Sequence, residues 1–160
     1  MKVIDPLPFW AEPSAISEWG KQCIPPIAPA WLDFINFKLH PDDLSILARV
    51  ILPAFITVGE TTLLQLKAEG HSAHALVRFS REAESCEQFE KDFNLVRIYE
   101  LFSHAEVEDE ASFNLAGLLL KRAWEITLAA MLPDIKHEVI CSNTDKDYGP
   151  TITFCRIRNF

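Results

Sequence analysis

The stretch Asp109–Leu132, DEASFNLAGLLLKRAWEITLAAML, contains the longest continuous helical pattern in the chain. At about 100° per residue, one line of this helix carries five bulky apolar side chains, namely Phe113, Leu120, Trp124, Leu128 and Met131. Further apolar residues on both sides widen that line. A helix with so broad an apolar surface must be covered on more than one side. The pattern therefore predicts a core helix, which ends before Pro133 because a proline pushes the preceding residue out of the α region.

Two hairpins are predicted, one before and one after this helix. Phe55–Val58 and Thr61–Leu66 are β-branched and apolar, and Gly59-Glu60 between them suits a two-residue type II′ turn. After the helix, His137–Ser142 and Pro150–Arg158 alternate in polarity around a loop of turn composition. We expect the two hairpins to pair in one antiparallel sheet of about four strands.

Two to three further helices are expected to pack around this sheet. Residues 42–52 are predicted to be helical, with a proline and two acids at the start and Pro53 at the end. Glu82–His104 is helical in pattern, but its apolar face switches near Asn94, which predicts two helices or one that breaks there. Helices and hairpins without βαβ alternation are typical of an α+β fold.

Two segments have weaker patterns. Trp31–Leu39 suits either an extended piece or a helical turn, and the extended form is the prediction. From Lys67 to Ser80 the periodicity fades. Within it, Glu69–Ser72 has loop composition, and Ala75–Phe79 is either a short strand or irregular.

The N-terminal residues 1–31 contain six of the ten prolines and three of the four tryptophans. Prolines interrupt long helices and central strands, while tryptophans are rare in disordered segments. We expect an arm held on the core by its indoles, with one short helix over Ala15–Gln22; exposed aromatics for a partner are the alternative. Residues 1–160 are long enough for one globular domain, and a single domain is the expectation.

The negative charge is concentrated in one segment. The net charge is −8, and residues 82–110 contain ten acids opposed only by Lys91 and Arg97. Elsewhere thirteen acids meet thirteen bases. Nucleic acid and anionic membranes are poor partners for such a surface, because phosphate binding needs lysine and arginine. A basic partner would be steered toward it, although acidic faces also occur merely for solubility.

No cofactor or metal is expected from the motifs. His71 and His74 form an HxxH without further ligands at metal-binding spacing. The spacing of Asp145 and Asp147 is like that in a calcium loop, but the required glycine and terminal glutamate are not in place. Phosphate-binding glycine motifs and GxSxG are absent from the sequence.

The cytoplasm is the expected compartment. The four cysteines are far apart and form no CxxC, so they are predicted to be thiols. The sequence also contains no apolar run of the length of a signal peptide or a membrane span.

An enzyme or small-molecule site around Arg97, Glu100 and His104 is the alternative function. These residues are spaced i, i+3 and i+7 on the less apolar side of their predicted helix. A carboxylate that orients an imidazole can begin general base catalysis. No nucleophile or glycine-rich turn accompanies them, so a structural or partner-facing cluster is the preferred interpretation, and the chain is not expected to be an enzyme.

In its size, acidity and lack of motifs, the chain resembles the immunity proteins of bacterial contact-dependent growth-inhibition and other polymorphic toxin systems. The resemblance implies a cytoplasmic protein that binds one cognate toxin domain, often a basic nuclease, and neutralises it by occlusion. The charge map supplies the predicted partner-binding residues, which are Glu84, Glu87, Glu106, Glu108 and Asp109. On the predicted helix, Glu84 and Glu87 point away from the apolar face.

Overall fold

The structure, a computed structural model, describes residues 5, 7–103, 110–144 and 149–158. Contacts between Cα atoms divide the chain into two units, Met1–Ala48 and Arg49–Phe160. Each unit is described by itself. Within the described ranges, no helix is long and apolar enough to cross a membrane.

The first unit consists of α1 (Ser14–Gln22), α2 (Trp31–Lys38) and most of α3 (Pro41–Ile51). The predicted short helix is confirmed in α1, and α3 begins and ends within a residue of its prediction. The extended prediction for Trp31–Leu39 is wrong. Phe34 and Phe37 are three residues apart, and helical geometry brings both rings to Trp19, with centroid distances of 5.6 Å in each case.

The second unit begins with the predicted hairpin. Strands β1 (Phe55–Val58) and β2 (Thr61–Leu64) pair antiparallel, and Gly59 in the turn has a φ of 57°. Since Glu60 does not have a positive φ, the turn fits type II′ rather than type I′. A short helix, α4 (Gln65–Ala68), follows at once and shortens the second predicted strand.

Residues 67–81 contain a helix that the sequence reading missed. Helix α5 (Ala73–Glu82) is capped by Ser72, whose Oγ accepts a hydrogen bond from the N–H of Ala75 at 3.2 Å. The strand considered for Ala75–Phe79 is therefore wrong. The buried Leu76 gives the helix its core contact, in a cluster with Leu63, Ala68 and Phe89.

The break near Asn94 is confirmed, but the segment is not helical throughout. Helix α6 (Cys86–Phe93) ends there, and the chain continues as β3 (Val96–Arg97) and α7 (Ile98–Leu101). The predicted helix start at Glu82 is wrong, because Glu82 is the last residue of α5 and Ser85 caps α6, accepting from the N–H of Gln88 at 3.0 Å.

The long helix is confirmed as α8 (Glu110–Met131), followed by the second hairpin, β4 (His137–Ser142) and β5 (Thr151–Arg156). Trp124 is 2% exposed in the core with Leu120 and Leu128. Met131, expected on the buried line, is 70% exposed. The helix buries one face, while the large apolar side chains exposed on it are Leu118, Ile126 and Met131.

The α+β class is confirmed, but the strands form two antiparallel sheets rather than one. One sheet is β1-β2 and the other has the order β3-β5-β4. Strands β2 and β5 do not pair with each other in the described part of the chain, and β3 pairs only with Thr151 and Ile152 at the start of β5. The buried side chains of Glu90 in α6 and of its C-cap Asn94 form hydrogen bonds to the backbone of both strands.

Candidate functional site

The predicted partner-binding residues are only partly within the described chain. Glu84 is exposed in the turn between α5 and α6, and Glu87 lies in the first turn of α6 with 41% of its side chain exposed. Glu106, Glu108 and Asp109 lie outside the described residues. The structure therefore gives the geometry of the α5–α6 part of this surface.

Glu87 and Glu84 differ in their contacts with the described residues. The Nζ of Lys91 lies 2.7 Å from Oε1 of Glu87, one helical turn away. The hydrogen bond from Lys91 lowers the pKa of Glu87 and raises that of Lys91. For Glu84, the described residues provide no cation within 4 Å. The carboxylate of Glu84 is thus the more open negative charge for a partner.

Other surface acids of residues 82–110 are also partly neutralised. Glu82 lies 3.6 Å from Arg78, Glu100 lies 3.4 Å from Arg97, and Asp92 accepts from Nε2 of Gln88 at 2.8 Å. Ion pairs at exposed positions contribute little free energy. These acids therefore remain available to a competing basic partner.

Glu90 is an exception among the acids of residues 82–110, because it is buried and its opposing bases, Arg156 and Arg158, come from outside the segment. Its side chain is 0% exposed. Oε1 accepts from the N–H of Thr62 at 2.7 Å, and Oε2 accepts from the N–H of Arg156 at 3.0 Å and from the guanidinium of Arg158 at 2.8 Å. The guanidinium of Arg156 is 3.8 Å from Oε1. A buried carboxylate is tolerated only with such compensation.

Asn94 lies one helical turn after Glu90, is also fully buried, and forms further hydrogen bonds to the same two strands. Its Oδ1 accepts from the N–H of Leu64 at 2.9 Å. Its Nδ2 donates to the carbonyl of Thr62 at 3.0 Å and to that of Phe154 at 3.2 Å. The amide therefore satisfies backbone groups that strand pairing would otherwise satisfy.

His137 extends this network from the start of β4. Its Nε2 lies 3.0 Å from Oγ1 of Thr62, which accepts from Nε of Arg156 at 2.7 Å. The hydroxyl proton of Thr62 can therefore be donated to His137. Burial and the nearby Arg156 lower the pKa of His137, so the imidazole is held in its neutral form.

The arrangement of Thr62, His137 and Glu90 resembles a nucleophile with a base, but a substrate cannot reach it. Thr62 and Glu90 are both 0% exposed. Sequence reasoning missed this cluster. The sequence signals for it were Glu90 next to Phe89 on the apolar side of the helix, Asn94 one turn later, and two arginines spaced i, i+2 at the end of the last predicted strand. The network has a structural role, because it connects α6 to the strands β2 and β5.

The structure describes two of the three residues of the alternative site, and these two do not lie on one helix. Arg97 lies in a two-residue strand and Glu100 in a four-residue helix, joined by their 3.4 Å ion pair. His104 lies outside the described residues. Arg97 and Glu100 do not share the helical face that was expected for them, because the chain changes from strand to helix between the two.

A cavity of about 400 Å³ lies beside α7. Its wall is mainly apolar, with Arg49, Gln65 and Glu69 as the polar members, and its apolar members include Val50, Leu64, Val96, Leu101 and Trp124. The indole N–H of Trp124 is already bonded to the carbonyl of Val50 at 2.9 Å. Neither Arg97 nor Glu100 lines this space. The cavity can accept an apolar body with a small polar end.

The other candidate ligands are dispersed. The ring of His71 packs edge-on against Phe79 and Phe93, at 5.9 and 6.2 Å, while His74 lies within α5. Asp145 and Asp147 lie outside the described residues. Among the residues placed by the structure, no three His, Cys, Asp or Glu side chains converge as a metal site would require.

All four cysteines are free thiols. Burial raises the pKa of Cys141 and of Cys155, which keeps both thiols protonated and weakly nucleophilic.

Comparison with known proteins gives no match to a protein family, a curated protein or a solved structure.

Proposed function

We propose that the chain is an immunity protein that binds a basic bacterial toxin domain in the cytoplasm and neutralises it by occlusion. The observation that carries this proposal is the charge excess in residues 82–110. Ten acids there face two bases, and of the acids that the structure describes only Glu90 is buried. The remaining acids are available to a cationic surface, which would accelerate association and make it depend on salt.

The scaffold behind this surface supports the proposal. The inner face of α6 is fixed by Phe89, Glu90 and Asn94, while Glu87 and Asp92 lie on its outer face. Hydrogen bonds from one helix to two sheets limit its movement. A rigid acidic surface loses less conformational entropy on binding than a mobile one.

The test is co-expression of a cognate toxin domain with the wild-type chain and with a charge-reversed variant. The variant carries lysine at four acids of the segment, Glu84, Glu87, Glu106 and Glu108. A matched control carries lysine at four exposed acids elsewhere, Glu12, Glu18, Asp134 and Glu138. Both changes alter the net charge by the same amount.

We expect the segment variant to lose protection and the control to retain it, with both folded by circular dichroism. Binding of the wild type should weaken as salt rises. Equal protection by the folded segment variant would refute the assignment of these acids as the toxin-binding surface.

Small-molecule binding is a second candidate function, favoured by the apolar cavity beside α7. A fluorescent apolar anion, 1-anilinonaphthalene-8-sulfonate, is a suitable probe for it. The substitution Ala54→Trp fills the cavity from an exposed lining residue and should abolish saturable binding. Fluorescence enhancement that is the same in both proteins would exclude this cavity as the site.

A further inference from the structure

A groove on the second unit has the opposite charge to the chain as a whole. It lies between the turn of the β1–β2 hairpin and one side of α5, with a volume of about 750 Å³. Its titratable lining residues are His74, Arg78 and Arg81, and no acid lines it. We propose that this groove binds a small organic phosphate monoester.

The three basic side chains share one side of α5. They are spaced i, i+4 and i+7, which places them in a row along the helix. Arginine binds phosphate oxygens through two parallel N–H donors. Two arginines in one row can therefore bind a dianionic phosphate more strongly than they can bind a carboxylate, which carries one charge.

The two arginines differ in their present contacts. Arg78 lies 3.6 Å from Glu82 and over the ring of Phe79 at 5.3 Å. Both members of the ion pair are more than half exposed, so a ligand phosphate can replace the carboxylate at little cost. Arg81 forms no ion pair with the described residues, which leaves its guanidinium free for an anion.

The remaining wall suits the organic part of the ligand. Val58 and Val77 supply apolar surface. Gly59 lies at the hairpin turn and has no side chain; a Cβ at this position would lie 3.8 Å from Cγ2 of Val77. Ala73, the first residue of α5, lies at one end of the groove. The positive end of the helix dipole therefore adds to the attraction for an anion there.

The neighbouring charges favour a small ligand over a polymer. Glu82, Glu84 and Glu87 lie at the end of α5 and directly after it. A nucleic acid strand that left the groove in that direction would meet these carboxylates, and polyanion binding needs a continuous basic track. A small monoester can bind with its phosphate group at the arginines and its apolar organic group against the valines.

The test uses phenyl phosphate, inorganic phosphate and benzoate as probes in titrations followed by amide NMR and calorimetry. We expect saturable shifts at Gly59, Ala73 and Val77, with phenyl phosphate binding tightest. Arg78→Gln with Arg81→Gln should weaken it by roughly tenfold or more, because charge-assisted hydrogen bonds are lost. Glu82→Gln should strengthen it, since the competing carboxylate is gone.

The control is Arg122→Gln, which removes an exposed arginine that does not line the groove. It should leave the affinity unchanged. The substituted side chains are exposed, so folding should be preserved, and the melting temperature verifies this. The proposal is overturned if wild-type shifts at the groove do not saturate, if benzoate binds as tightly as phenyl phosphate, or if the arginine variant binds like wild type.

Discussion

Glu90 and Asn94 lie one helical turn apart, and each side chain forms hydrogen bonds to the backbone of both β2 and β5. Glu90 accepts from Thr62 and Arg156, and Asn94 bonds to Leu64, Thr62 and Phe154. Two side chains thereby satisfy five backbone groups on two strands that belong to different sheets. The predicted single sheet is replaced by two sheets that one helix joins.

Glu90→Gln is expected to destabilise the protein strongly. The substitution removes the negative charge that compensates the guanidinium of Arg158, and breaking a buried pair costs about 3–5 kcal/mol. Urea unfolding measures the free energy of unfolding. Glu84→Gln, at an exposed position, should change it by less than about 0.5 kcal/mol. Equal effects at the two positions would show that Glu90 is not buried as described.

Asn94→Asp tests the hydrogen bonds that the side-chain amide of Asn94 donates. The aspartate retains an acceptor for Leu64 but removes the donor to the carbonyls of Thr62 and Phe154. Leaving buried polar groups unsatisfied costs about 1–3 kcal/mol each, so we expect a loss of roughly 2–4 kcal/mol in urea unfolding. Asp92→Asn, at an exposed position on α6, is the control and should be near neutral. A neutral Asn94→Asp would contradict the described bonds.

Trp124→Ala should destabilise the fold by about 3–5 kcal/mol, as truncation of a large buried aromatic residue generally does. Its ring packs edge-on against Phe154 at a centroid distance of 6.0 Å, and its N–H bonds to Val50. Trp124→Phe keeps the ring contact and loses the hydrogen bond, so its cost should be smaller. The melting temperatures of the three proteins measure the order; an unchanged value for Trp124→Ala would mean that α8 does not bury this side.

Stability should fall on the acidic side of neutrality because of His137. Burial and the neighbouring Arg156 lower the pKa of its imidazole below the ordinary 6.5. As pH falls through about 6.5, the unfolded chain takes up this proton before the native protein does, so the free energy of unfolding decreases. Above that pH the contribution is constant.

The substitution His137→Gln checks this assignment. It retains a group that can hydrogen-bond to Thr62 but removes the titration. Urea unfolding from about pH 5 to about pH 8 should therefore show a smaller pH dependence in the variant than in wild type. Curves that remain parallel over this range would assign the effect to other groups.

Local signals in the sequence were sufficient for most elements. The turn glycine at Gly59 and the stop at Pro133 predicted the first hairpin and the end of α8, because backbone preferences at glycine and proline act over a few residues. The periodicity of α8 predicted the burial of Trp124 for the same local reason. These features required no knowledge of distant contacts.

Three helices were missed, α2, α4 and α5, and for α2 and α5 the evidence lies partly outside their own sequence. The apolar residues of α2 fit two periods, and the contact with Trp19 accompanies the helical one. For α5, the capping signal of Ser72 was present, but the apolar positions were few. Local propensity is a weak prior that tertiary contacts often override.

The candidate partner-binding surface was also predictable only in part from the sequence. The sequence determined the charge excess of residues 82–110 and the outward position of Glu87 on α6, because the first follows from composition and the second from helical geometry. Only the tertiary structure decided that Glu90 is not part of that surface. Its partners Arg156 and Arg158 are 66 and 68 residues away in the chain, and no local pattern can tell a paired, buried carboxylate from a solvated one, since the two differ only in what the folded chain brings next to them.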